Sequence, residues 1–127
     1  MWTMIETLLS PRLMRPLFWL LACFSLVMAL LPKPPSTPID QFGDKFEHML
    51  AFAALTVVAR LGWPRAPIWI AALLLSLYGA AIELLQKIPV LHRDSDPRDW
   101  VADTAAIALA LLLAQFLIHF SGKRDTI

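Results

Sequence analysis

Residues 100–120 read WVADTAAIALALLLAQFLIHF. From Thr104 to Phe120 the run carries no formal charge, and alanine and leucine dominate it. A helix needs roughly 20 mostly apolar residues, about 17 to 25, to cross the hydrocarbon core of a bilayer. Residues 100–120 meet that length, and three further blocks lie upstream. Ala66 to Ile82 is uncharged and continues through Glu83 to Leu85. His48 to Trp63 is apolar between Met49 and Ala59, and reaches spanning length only if Lys45 and Arg60 snorkel to the interfaces. The first block starts at Leu13 or Pro16 and ends at Leu31, with Arg12 and Arg15 ahead of it and Lys33-Pro34-Pro35 behind.

The spacing therefore predicts an all-α integral membrane protein. One domain over residues 1–127 holds four transmembrane helices, about 14–31, 46–63, 66–86 and 99–120, in an antiparallel bundle. Composition agrees: of 127 residues, 58% are hydrophobic and 17% charged, with a mean hydropathy of +0.63. Soluble domains average about a quarter charged. Disordered chains are poorer in apolar residues. A net charge of +1 gives no basic excess that would suggest nucleic acid.

The one cysteine, Cys23, sits in the first apolar run and reads as a small hydrophobe. No small-x-small cleavage site follows that run, so an uncleaved first helix is expected in place of a signal peptide. Met1, Trp2, Ile5, Leu8 and Leu9 suggest a short interfacial turn stopped by Pro11. Pro32 to Gly43 is proline-rich and reads as a stiff connector. Gly62 to Arg65 reads as a tight turn, and Lys87 to Arg98 as the one densely charged loop.

Four spans place both termini on one side. That side holds six basic residues (Arg12, Arg15, Arg60, Arg65, Lys123, Arg124) against five opposite (Lys33, Lys45, Lys87, Arg93, Arg98). The positive-inside rule then turns on Arg12 and Arg15, which flank the first helix and favour cytoplasmic termini. The carboxylates divide more sharply. Glu6 and Asp125 are on the terminus side, while Asp40, Asp44, Glu47, Glu83, Asp94, Asp96, Asp99 and Asp103 are on the other. One end of the bundle is a polar site.

Three segments meet at that end. Asp44 and His48 are i and i+4 on a helix, and Lys45 and His48 are i and i+3. Glu83 and Gln86 share a face at the end of the next helix, and Asp99 and Asp103 share one at the start of the last. Charge within a span costs at least about 2.5 to 3.5 kcal/mol at its centre, so Glu83 and Asp103 should face the bundle interior. Their available partners are Lys45, Arg93, His48 and Gln86. Ala102, Ala106, Ala110 and Ala114 form a small-residue stripe that permits close helix approach, with Gly79 and Ala80 as the facing surface.

The ordered pattern Asp44-Lys45-x-x-His48-x-x-x-Phe52, Glu83-x-x-Gln86 and Arg93-x5-Asp99-x3-Asp103 resembles the VanZ-like membrane proteins. The resemblance covers roughly Asp44 to Ala114. Where that family typically has asparagine this chain has Asp103, and where it has glycines this chain has Ala106 and Ala110. The resemblance implies a bacterial cytoplasmic-membrane protein, and the family's founding member is associated with low-level teicoplanin resistance. It implies no particular chemical activity.

Each group also has a structural reading. Glu83, Gln86, Arg93, Asp99 and Asp103 could form an ion-pair network that fixes helix packing, and His48 could be a helix-end histidine held by Asp44 or Glu83. His48 with Glu83, Asp99 or Asp103 has metal-ligand chemistry, but no tight His-x-x-His or Glu-x-x-His spacing accompanies it, so neither metal nor cofactor is expected. Asp94 and Asp96 read as solvated charge. Trp2, Trp19, Trp63, Trp69 and Trp100 read as an interfacial belt. Nucleophilic hydrolase motifs, phosphate-cradling glycine loops and cysteine pairs are absent from the sequence.

Two functions are compatible with this cluster. In the first, Arg93, Lys45 and Arg98 with nearby carboxylates bind the headgroup of an envelope lipid or a lipid-linked wall precursor at the outer leaflet. In the second, a membrane enzyme uses Glu83 or Asp99 as base or acid, His48 as proton shuttle and Arg93 as electrostatic clamp. Transport is weaker, since no broken helix is evident. Membrane lipids are the expected partners, and a homo-oligomer is compatible with the chain.

Overall fold

A computed structural model describes residues 2–31, 44–91 and 97–121, and every regular element among them is helical. The elements are α1 (Trp2–Leu8), α2 (Pro11–Leu30), α3 (Asp44–Gly62), α4 (Ile68–Gln86) and α5 (Pro97–Ser121), with a 3-10 turn at Pro89–Leu91 between the last two helices. The expected boundaries hold to within three residues for the four long helices. The connector at 32–43 and residues 92–96 lie outside the described residues.

α2 begins earlier than its hydropathy suggests. Ser10 is extended and Pro11 takes the first helical position, where its missing N–H costs nothing. The Ser10 carbonyl accepts from the Leu13 and Met14 amides at 3.0 and 2.9 Å, so the helix starts before the apolar run does. Pro16 is then accommodated inside it. The α3–α4 turn is closed by the Ala66 amide donating to the Trp63 carbonyl at 3.1 Å. Pro67 then precedes α4.

Three helices are long and apolar enough to cross a membrane: α2, α4 and the Pro97–Phe116 portion of α5. Their outward faces carry Leu20, Phe24, Trp69, Leu74, Leu109, Leu112 and Phe116, all exposed. A helix apolar on every side needs lipid or a core around it. The fourth expected span, α3, falls outside that set. Its sequence holds Asp44, Lys45, Glu47 and Arg60, and these lower its hydropathy.

Packing explains how so polar a helix is housed. α3 makes the most extensive helix pair with α5 and the next with α2. Phe52, Leu55, Thr56 and Arg60 are buried. The exposed positions described on α3 are Phe46, Leu50, Ala54 and Val57, one apolar stripe at helical spacing. The core beneath the polar end is Phe52, Leu55, Leu75, Ile82, Ile107 and Leu111, joined by Ala29.

Ala106, Ala110 and Ala114 are buried as the stripe predicts, while Ala102 is half-buried. Gly79 faces α3 as well as α5. A Cβ placed there would lie 3.2 Å from Phe52 Cζ and 3.7 Å from Trp100 Cδ1, so the glycine makes room for an α3 ring.

Candidate functional site

The polar end is assembled from all four long helices. His48 comes from the second turn of α3, Glu83 and Gln86 from the last turns of α4, and Asp103 from the second turn of α5. One imidazole nitrogen, one Glu83 oxygen and one Asp103 oxygen lie within 4.8 Å of one another. Glu83, Gln86 and Asp103 are 6%, 2% and 2% exposed, whereas His48 is half-buried. Gln86 adds α2, because its Nε2 donates to the Ala29 carbonyl at 2.9 Å.

Helical spacing and up-down topology produce this convergence. Phe52, one turn after His48, fills the layer below and fits because residue 79 has no side chain. From the first turn of α5, the Trp100 indole donates to the Ser76 carbonyl at 3.0 Å. Ser76 and Thr104 share a 3.0 Å hydrogen bond. These contacts fix α4 against α5 on either side of Asp103. Trp100 is thereby a helix-to-helix strut.

Two carboxylates this close, if both charged, repel by about 3 kcal/mol at an effective dielectric near 20. The arrangement therefore suits a cationic group or ion among its oxygens. Glu83 and Asp103 both have further interactions of their own, as do Glu47, Arg98 and Asp99. Imidazole and two carboxylates are also ligands that suit divalent ions such as Zn²⁺ or Mn²⁺. The spacing argument against a metal concerned ligands on one helix. Here each ligand comes from a different helix, which no local motif encodes.

Not every expected member is brought in. Asp99 is half-buried and lies outside the trio of His48, Glu83 and Asp103, and Arg98 is exposed. Arg93 lies outside the described residues, as do the side chains of Asp44 and Lys45, so the basic half of the expected cluster has no described place.

Arg60 corrects another expectation. In place of snorkelling to the interface it is 4% exposed. Its Nη1 donates to the Ala66 carbonyl at 2.8 Å and its Nη2 to Gln115 Oε1 at 2.9 Å. The available signal was Gln115, the single amide in the apolar run of α5. Tyr78 was also missed; its hydroxyl donates to the Ala22 carbonyl at 2.5 Å.

Comparison with known proteins finds no match for this chain: no family model, no curated protein and no solved structure is similar to it.

Proposed function

We propose that the chain is a VanZ-like integral membrane protein of the bacterial cell envelope. It binds or modulates an envelope lipid, or a lipid-linked cell-wall precursor, at the outer face. The carrying observation is the convergence of His48, Glu83 and Asp103, three residues of the pattern that resembles the VanZ-like family, within 4.8 Å at one end of the bundle. In this reading α3 is the fourth span, supported by its apolar exposed stripe and by charged residues confined to its ends. Both termini are then cytoplasmic and the polar end faces outward. A headgroup offers phosphate, hydroxyl or amine groups, which the carboxylates and imidazole of this end can engage with Arg93, Arg98 and Lys45 beside them. The family link makes glycopeptide resistance, to teicoplanin in particular, the phenotype to examine.

The test is identification of co-purifying lipids and precursors by mass spectrometry on gently extracted protein. An envelope lipid or precursor enriched over the bulk membrane, and lost in Arg93→Ala and His48→Ala, is the expected result. Lipids in bulk proportion, with envelope phenotypes intact in both variants, would sink the reading.

A second reading is favoured by one observation, the imidazole of His48 within reach of two carboxylates, which is the pairing proton transfer needs. A membrane enzyme acting on a lipid-borne substrate would use Glu83 or Asp99 with His48, and Arg93 as clamp. Glu83→Gln and Asp99→Asn proteins that fold and keep full biological activity would reject it.

A further inference from the structure

The opposite end of the bundle holds a buried positive charge that nothing yet described neutralises. Arg60 makes two side-chain hydrogen bonds, both to neutral acceptors, the Ala66 carbonyl and the Gln115 amide oxygen. Its Nε has no hydrogen-bond partner, although the residue is only 4% exposed. A buried charge without a counter-charge is costly, and an ion that reached it would be held strongly.

A route to Arg60 exists. A groove of about 540 Å³ runs between α2, α3 and α4 with Arg60 in its wall. Sites for lipid- or drug-sized ligands typically enclose about 300–1,000 Å³. Trp63 and Ala66, in the α3–α4 turn, line it together with Ala22, Ala71, Leu74 and Tyr78. The Tyr78 hydroxyl bonded to the Ala22 carbonyl ties α4 to α2 at the far end. From Ile70 to Tyr78 the groove follows α4 for about 12 Å at 1.5 Å per residue. One leaflet of a hydrocarbon core about 30 Å thick has nearly that depth.

Charge beside that turn matches an anion. Arg15 donates from Nε to the Gly62 carbonyl at 2.8 Å, and its guanidinium carbon lies 5.6 Å from the centre of the Trp63 ring. Arg12 and Arg65 are exposed at the same end. Glu6 is the one acidic residue described on that side.

We propose that this groove binds an anionic phospholipid of the terminus-side leaflet, one acyl chain along α4 and its phosphate at Arg60. The site is at the other end of the bundle from His48 and does not depend on what that end binds.

The full-length protein, exchanged into bilayer discs with equal phosphatidylglycerol and phosphatidylcholine and then analysed by native mass spectrometry, tests this. The expected result is phosphatidylglycerol retained at least fivefold over phosphatidylcholine. Arg60→Met should abolish that preference, and Arg60→Lys should keep part of it. Ala71→Phe, which fills the groove and leaves Arg60 in place, should lower retention of both lipids. That variant decides the matter if Arg60→Met fails to fold. Equal retention of the two lipids by the native protein, or a second copy of the chain in place of lipid, would overturn the proposal. So would a phosphatidylglycerol preference that survives Ala71→Phe unchanged.

Discussion

Ile107→Ala, paired with Leu112→Ala, separates packing from water exclusion in this bundle. Ile107 is 1% exposed and belongs to the cluster with Phe52, Leu55, Leu75 and Leu111; Leu112 is 69% exposed on the same helix. In a water-soluble core, truncation to alanine loses both transfer free energy and packing, together about 2–5 kcal/mol. A spanning helix separated from its neighbours stays in lipid, so the transfer part largely cancels and the cavity part remains. At about 24 cal/mol per Å³ over roughly 75 Å³ vacated, that part is about 2 kcal/mol, or some 20–30-fold in the folding equilibrium. Leu112→Ala exchanges one lipid contact for another and should change stability by under ~0.5 kcal/mol. The assay is reversible unfolding in mixed micelles, followed by circular dichroism as the denaturing detergent fraction rises. A loss above about 4 kcal/mol at Ile107 would mean that α5 enters water on unfolding and is not a span. Equal losses at the two positions would mean that α5 does not pack on the face described.

Three further outcomes can be checked. Gly79→Leu should destabilise by about 1–2 kcal/mol, because overpacking against Phe52 and Trp100 outweighs the ~1 kcal/mol gained in helix propensity, and Phe52→Leu should recover part of the loss in the same unfolding assay. A double-mutant cycle of Arg60→Met and Gln115→Leu should give a coupling of about 1–2 kcal/mol, above the ~0.6 kcal/mol average for bonds between spanning helices because the donor is charged; a coupling under ~0.3 kcal/mol would refute the bond. Cys23 is exposed on the outside of α2. It should resist a sulfonated maleimide in intact vesicles and react once the chain is denatured, and fast labelling in vesicles would place that face of α2 in water.

The legible part of this protein was its spacing. Runs near 20 apolar residues located α2, α4 and α5, and the i, i+3 and i, i+4 pairs brought Glu83, Gln86 and Asp103 to one level. His48 lies beside Glu83 and Asp103 for the same reason. Hydropathy misleads where burial depends on neighbours: it does not see the shelter that Thr56 and Arg60 of α3 find among the other helices, and it sends Arg60 outward when Ala66 and Gln115 are waiting inside. It was also silent on ring shape, so the fit of Phe52 into the space at Gly79 could not be read before the backbone was in place.

The bonds between helices have one further consequence. Arg15, Tyr78, Gln86 and Trp100 each donate to a main-chain carbonyl on another helix, at Gly62, Ala22, Ala29 and Ser76. A carbonyl is present whichever amino acid occupies the position, so no substitution at those four acceptor sites deletes the acceptor itself. The instructions for assembly are thus written once, on the donor side. Outside its own donor Arg15, α2 can drift in sequence as long as its residues stay apolar and its register holds, and a change at Tyr78 or Gln86 cannot be compensated by a new side chain at 22 or 29 that merely restores an acceptor. Selection on such a bundle would act unevenly, severe on a few long polar side chains and lenient toward the surfaces they reach.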